Sequence, residues 1–221
     1  MRNIDITISD EILAACPHFH FSAILCNVKN SPHNEELWKK IDAFSADFRT
    51  KHKMEDIGKR KAIAATRQAY KNLGKDPSRY RPSAEALCRR IIKDINLYQI
   101  DTLVDLINLV SLKTGYSIGG FDADKTKGNL ILGVGKADEK FEAIGRGLLN
   151  IEGLPVYRDE IGGIGTPTSD EERTKITAET TRLLMIINGY SGEEGLQEAA
   201  DYSVELLEKF AGANEIKLCR S

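Results

Sequence analysis

The sequence has no CxxC pair and no regular cysteine spacing, since Cys16, Cys26, Cys88 and Cys219 stand far apart. A disulfide framework is therefore excluded, and the thiols read as reduced, in a cytoplasmic protein. No stretch of about 18 apolar residues occurs, so no membrane span and no membrane partner is expected. The N-terminal MRNIDITISDEILAAC lacks the apolar run of a secretory signal. Low-complexity linkers and tandem repeats are missing too. There is no GxxxxGK[ST] loop, GxGxxG fingerprint, GxSxG elbow or helical HExxH. Their absence removes the usual phosphate-loop, dinucleotide, hydrolase-elbow and zinc-peptidase readings. No cofactor is implied.

What is present is ordinary for a folded domain: 221 residues, 41% hydrophobic and 29% charged. Ile4, Ile6 and Ile8 alternate as in a strand, which places the N-terminus inside the fold. HFHFSAIL (18–25) alternates again, with Phe19, Phe21, Ala23 and Leu25 on one face. Ser31-Pro32 reads as a helix start, followed by Leu37, Ile41, Phe44 and Phe48 at helical spacing. Ile63, Arg67, Tyr70 and Leu73 predict another helix that Gly74 ends. Two prolines make 75–82 a loop, and a helix opens near Ser83 with a Glu85–Arg89 pair. Residues 101–114 are apolar around most of a helical circumference, up to Gly115. From 117 to 190 short apolar runs alternate with Gly, Asp and Thr clusters, a β-rich texture. A helix over 193–211, stopped by Gly212, and a short strand at 215–218 close the chain. The expected fold is α+β, a single domain over 1–221 with a helical N-terminal half and a β-rich C-terminal half.

The net charge of −2 hides an asymmetry. Residues 51–93 hold 13 Lys and Arg against 4 Asp and Glu, a surplus of +9, while the remainder carries −11. Such a stretch can hold a polyanion, or it is a well-solvated pair of helices beside an acidic body. Within it, Arg79-Tyr80-Arg81 offers two guanidinium forks and a ring, suited to phosphate contact and base stacking. Alternatively, these arginines brace the loop and Tyr80 is core. Asp105, Asn108 and Ser111 form a polar stripe on the apolar helix 101–114. A buried stripe needs partners, either backbone groups of an adjoining loop or a ligand. Cys16, His18, His20 and Cys26 share a parity but match no metal spacing, so no metal is assigned. YRDEIGGIGTPT (157–168) reads as a glycine-rich loop between strands.

VDLINLVSLKTGYSIGGFD (104–122) resembles the signature of the B-three/B-four tRNA-binding and editing domain of the phenylalanyl-tRNA synthetase β chain. The similar positions are Asp105, Asn108, Gly115, Phe121 and Asp122. PSRYRPSAEAL and ERTKITAETT are similar to free-standing members, so the resemblance spans about residues 60–210, with 1–58 as an extension. It implies an editing-type domain that binds tRNA or aminoacyl-tRNA and hydrolyses mischarged esters in trans. The implied pocket comprises Asp105, Asn108, Ser111, Gly119, Gly120, Phe121, Asp122 and Thr180. The implied tRNA surface comprises Arg79, Tyr80, Arg81, Arg89 and Arg90. A complete tRNA ligase is not expected in a chain of this length. Gly119 stands where the family commonly has His, and Ile187 or a neighbour where it commonly has Glu. Thr180, Ser111 or the Gly119-Gly120 backbone are the candidates to replace them, and no catalytic residue is assigned. Two other readings stand beside this one: an amino-acid-like ligand domain without tRNA editing, and a protein-interaction module.

Overall fold

The computed structural model describes residues 3–221. The chain begins with β1 (Ile6–Ile8), α1 (Asp10–Ala15) and β2 (His20–Asn27). Helices α2 (Glu35–Lys51), α3 (Met54–Ile57), α4 (Lys61–Asn72), α5 (Ser83–Ile92) and α6 (Thr102–Thr114) follow. Strands β3 (Ile118–Asp122), β4 (Leu130–Val134), β5 (Glu142–Ala143), β6 (Gly147–Leu148), β7 (Pro155–Arg158), β8 (Gly163–Gly165) and β9 (Arg182–Gly189) come next. Helix α7 (Leu196–Ala211) and strand β10 (Asn214–Arg220) end the chain. The fold is α+β.

Two four-stranded sheets form, one ordered β1-β4-β7-β8 and the other β10-β2-β9-β3. The long strands β2 and β9 are paired antiparallel along their full length, from His20 opposite Gly189 to Asn27 opposite Arg182. Alternation sorts their side chains onto two buried faces. Phe21, Ala23, Leu25, Leu184 and Ile186 meet Leu130, Leu132 and Ile164 of the other sheet. Ile24, Cys26, Leu183, Met185 and Ile187 instead meet Leu106, Val110, Ala200 and Leu207 of α6 and α7. The molecule is thus layered sheet, sheet and helices, with β2 and β9 buried on both faces. The helical and β-rich halves of the chain interleave in space. Strand β1 pairs in parallel with β4, and β2 separates β10 from β9.

Two local expectations change. Helix α2 starts at Glu35 rather than at Pro32, because Asn34 caps it by accepting the Leu37 N–H at 3.0 Å. Ser31 is engaged elsewhere, 2.7 Å from the Thr102 hydroxyl. Cys16 and Cys26 do not share a face: Cys16 ends α1, and the two thiols lie in different cores. Burial pushes the Cys16 thiol up to about 11 and the Cys26 thiol to about 12.

The basic stretch is organised around one acid. Glu85 is fully buried. Its carboxylate accepts from Arg67 Nη1 and Arg89 Nε, both at 2.8 Å, and Arg81 Nε lies at 3.7 Å. Arg67 also donates to the Pro77 carbonyl, so this cluster fastens α4, α5 and the 75–82 loop together. Arg60 donates to the carbonyls of Leu112 and Lys113 and covers the C-terminus of α6. Replacing Glu85 by Ala removes the shared carboxylate and leaves two partly buried guanidinium groups unmatched. The expected loss is about 3 kcal/mol in urea unfolding. An unchanged denaturation midpoint would contradict this account of the stretch.

Candidate functional site

A cavity of about 420 Å³ opens between α6, the start of α5, the edge strand β3 and residues 169–176. Helix α6 lines it with Val104, Ile107, Asn108 and Ser111. The 3.6-residue period puts these four on one side of the helix. Leu87, Ile100, Ile118, Ile144 and Ile176 extend the aliphatic wall. Among the described residues no aromatic ring lines it. Polar groups come from Ser83, Ser169, Asp170 and Lys175 besides the two on α6.

Asp170 is the chemically distinctive member. Strand β3 is a sheet edge, where an isolated bridge from Phe121 to Lys175 replaces a neighbouring strand. The Gly120 N–H donates to Asp170 Oδ2 at 3.2 Å. The space for that carboxyl depends on Gly165, and the neighbouring Gly119 and Gly120 are confined by other side chains. A Cβ at Gly165 would lie 2.7 Å from Asp170 Oδ1 and 2.6 Å from Phe121 Cζ. One at Gly120 would lie 2.6 Å from Ile107 Cδ1. One at Gly119 would lie 2.7 Å from Phe121 Cζ, so this backbone has no room there for the histidine common in the resembled domains. Burial raises the Asp170 carboxyl to about 7, and the single Gly120 hydrogen bond offsets only part of that.

The wall carrying Asp170 is held from behind. Arg173 donates to both Asp159 oxygens at 2.9 Å. Asp159 also accepts the Lys127, Ile161 and Gly162 backbone N–H groups. These contacts hold its carboxyl below the usual range despite burial. The Lys175 ammonium is tied to Glu172.

The expected pocket residues divide. Asn108, Ser111 and Gly120 line the cavity. Ser111 donates to the Tyr116 carbonyl at 2.6 Å, which leaves its oxygen as an acceptor toward the cavity. Asp105, Gly119, Phe121, Asp122 and Thr180 do not line it. Asp105 is buried under α2, accepting Trp38 Nε1 at 2.6 Å and the Ile100 N–H at 3.1 Å. Phe121 fills the core between the sheets. Thr180 donates to Asp122 at 2.9 Å and fixes a turn. Ile187 is buried against the helices. Asp170 escaped the sequence reading. The one signal was an acid shortly after the glycine-rich 162–165 stretch, and only the pairing of distant strands gives it meaning.

The loop bearing Arg79-Tyr80-Arg81 adjoins this cavity. Thr168 donates to the Tyr80 carbonyl and the Ser83 N–H to the Pro167 carbonyl. Tyr80 is half-buried, with Lys75 Nζ 3.8 Å from its ring centre. Arg81 and Arg89 face Glu85, and Arg90 donates to the Asn96 carbonyl. Arg79 is exposed and has no ion-pair partner among the described residues. The β5–β6 hairpin, tied to the Asp170 carbonyl through the Ile144 N–H, brings up a second such cation, Arg146.

The model of the B3/4 domain family matches residues 65–212. Among solved structures, an N-terminal fragment of the phenylalanyl-tRNA synthetase β subunit from Pyrococcus horikoshii superposes with a TM-score of 0.53. It is 14% identical, and the match covers 100% of this chain and 55% of that one, which speaks for the fold. No curated protein sequence matches the chain.

A native carboxyl near 7 makes a stability prediction. Between about pH 4 and 7 the unfolded chain has lost this proton while the native state keeps it. Stability from Asp170 is therefore present below pH 4 and lost as pH rises toward 7. Urea unfolding from pH 4.5 to 8 is expected to show this decline in the wild type relative to Asp170→Asn. Parallel curves would contradict it.

Proposed function

The chain belongs to the B3/4 domain family, and on that premise we propose that it binds an aminoacyl ester carried on tRNA and hydrolyses it. The observation that carries this reading is the placement of the Asp170 carboxyl, bonded to the Gly120 N–H on the wall of a 420 Å³ aliphatic cavity, where burial raises it to about 7. A base whose pKa lies near the working pH combines a large ionised fraction with useful basicity.

In this reading the amino-acid side chain rests against Ile107, Ile118 and Ile176. Ionised Asp170 takes a proton from a water as its oxygen bonds to the ester carbonyl carbon. The carbonyl oxygen gains the negative charge. The Asn108 amide, which has no protein partner among the described residues, is the donor proposed for it. The C–O bond to the ribose then breaks, and the departing ribose oxygen recovers a proton. Exposed Arg79 and Arg146, on segments bonded to residues 167–170, attract the phosphates of the carrier.

A second reading is an amino-acid-like ligand bound without tRNA. It is favoured by the internal engagement of Arg60, Arg67 and Arg89, which removes part of the basic surplus from the open surface.

Deacylation of a panel of aminoacyl-tRNAs separates the two. At least one species is expected to be hydrolysed, with the rate rising through pH 7. Asp170→Asn, checked for native circular dichroism, is expected to lower that rate about 100-fold. Release no faster than in buffer for every species would remove the hydrolytic claim. Cavity binding of free amino acids without any tRNA affinity would establish the second reading.

A further inference from the structure

Among the Phe, Tyr and Trp side chains of the described residues, Tyr98 is the one mostly open to solvent, at 68%. It belongs to none of the hydrophobic cores. The Arg90 guanidinium lies 4.1 Å from its ring centre, a cation–π contact that backs one face and leaves the other open. Arg90 is itself fixed, since its Nε donates to the Asn96 carbonyl at 2.6 Å.

The segment bearing Tyr98 is anchored on both sides. Asp94 adopts a positive φ of 55°, and the Ile95 N–H returns to the Arg90 carbonyl at 3.1 Å. Leu97 packs into two cores, and the Ile100 N–H is held by Asp105. Ile100 lines the cavity. Two residues of chain reach at most about 7 Å, so the backbone that bears the ring stands within that distance of the Ile100 backbone at the rim.

We infer that Tyr98, backed by Arg90, is a stacking platform for the base of the nucleotide whose ribose carries the aminoacyl ester. This rests on the tRNA-carried reading above. Stacking needs an open ring face near the backbone path and tolerates any base. Tyr98 supplies the face, and Arg90 adds positive charge beside it. Tyr80 is half-buried against a core and has both Lys75 and Arg79 beside its ring.

The test uses the full chain and an RNA hairpin with a single-stranded 3′ end, its last base replaced by 2-aminopurine. Stacking quenches this base. Wild type, Tyr98→Phe and Tyr98→Trp are expected to bind with quenching. Tyr98→Ala is expected to lose the quench and bind about tenfold more weakly. Equal affinity and equal quench in Tyr98→Ala would overturn the platform while leaving RNA binding intact. No RNA binding by wild type would overturn both the platform and the tRNA-carried reading, and active deacylation of a minimal aminoacyl ester would then show the cavity chemistry to be separate.

Discussion

The outer edge of β3 has backbone groups without a neighbouring strand, and the way one of them is satisfied organises the site. Gly120 presents its N–H outward, and the Asp170 carboxyl accepts it. The contact needs a side-chain-free Gly165, and Gly119 and Gly120 are closely covered by Phe121 and Ile107. Cβ atoms there would occupy the places of Phe121, Ile107 and Asp170. One local need, an edge N–H requiring an acceptor, thus draws a carboxyl onto the wall of an aliphatic cavity. Its displaced titration follows from its surroundings.

The same economy appears in the basic stretch. A surplus of +9 over residues 51–93 looks like one surface for a polyanion. Much of it is spent inside the fold. Glu85 gathers Arg67 and Arg89, Arg60 covers the end of α6, and Lys75 donates to the carbonyls of Asn150 and Glu152. These contacts set the 75–82 loop beside the cavity. The open cations near it are fewer, and Arg146 comes from outside the stretch. Electrostatic attraction in the proposed function therefore belongs to placed residues, not to the stretch as a whole.

The long elements were legible because their periodicity is strong. Strand β2, helices α6 and α7 and the glycine stops at 115 and 212 lie close to where the residue pattern puts them. Helices α1 and α3 were not, since each is short and buries a single apolar residue, Ile12 or Ile57. The parallel pairing of β1 with β4 spans more than a hundred residues and leaves no local mark. Of the site, the α6 stripe was visible, but its members part company: Asn108 and Ser111 face the cavity while Asp105 braces Trp38 and the loop at Ile100. Asp170 falls between the glycine-rich 157–168 stretch and the 172–181 stretch, in neither of them. Its role arises from the meeting of β3, β8 and the 169–176 segment, which no spacing in the chain encodes.

Everything proposed for the cavity depends on the carboxyl of Asp170 being seated there and titrating near neutrality. Carbon-13 NMR of side-chain carboxyls, with the Asp170 signal identified by its loss in Asp170→Asn, measures this directly. The account predicts a midpoint of about 7. A midpoint in the ordinary aspartate range, near 4, would contradict it.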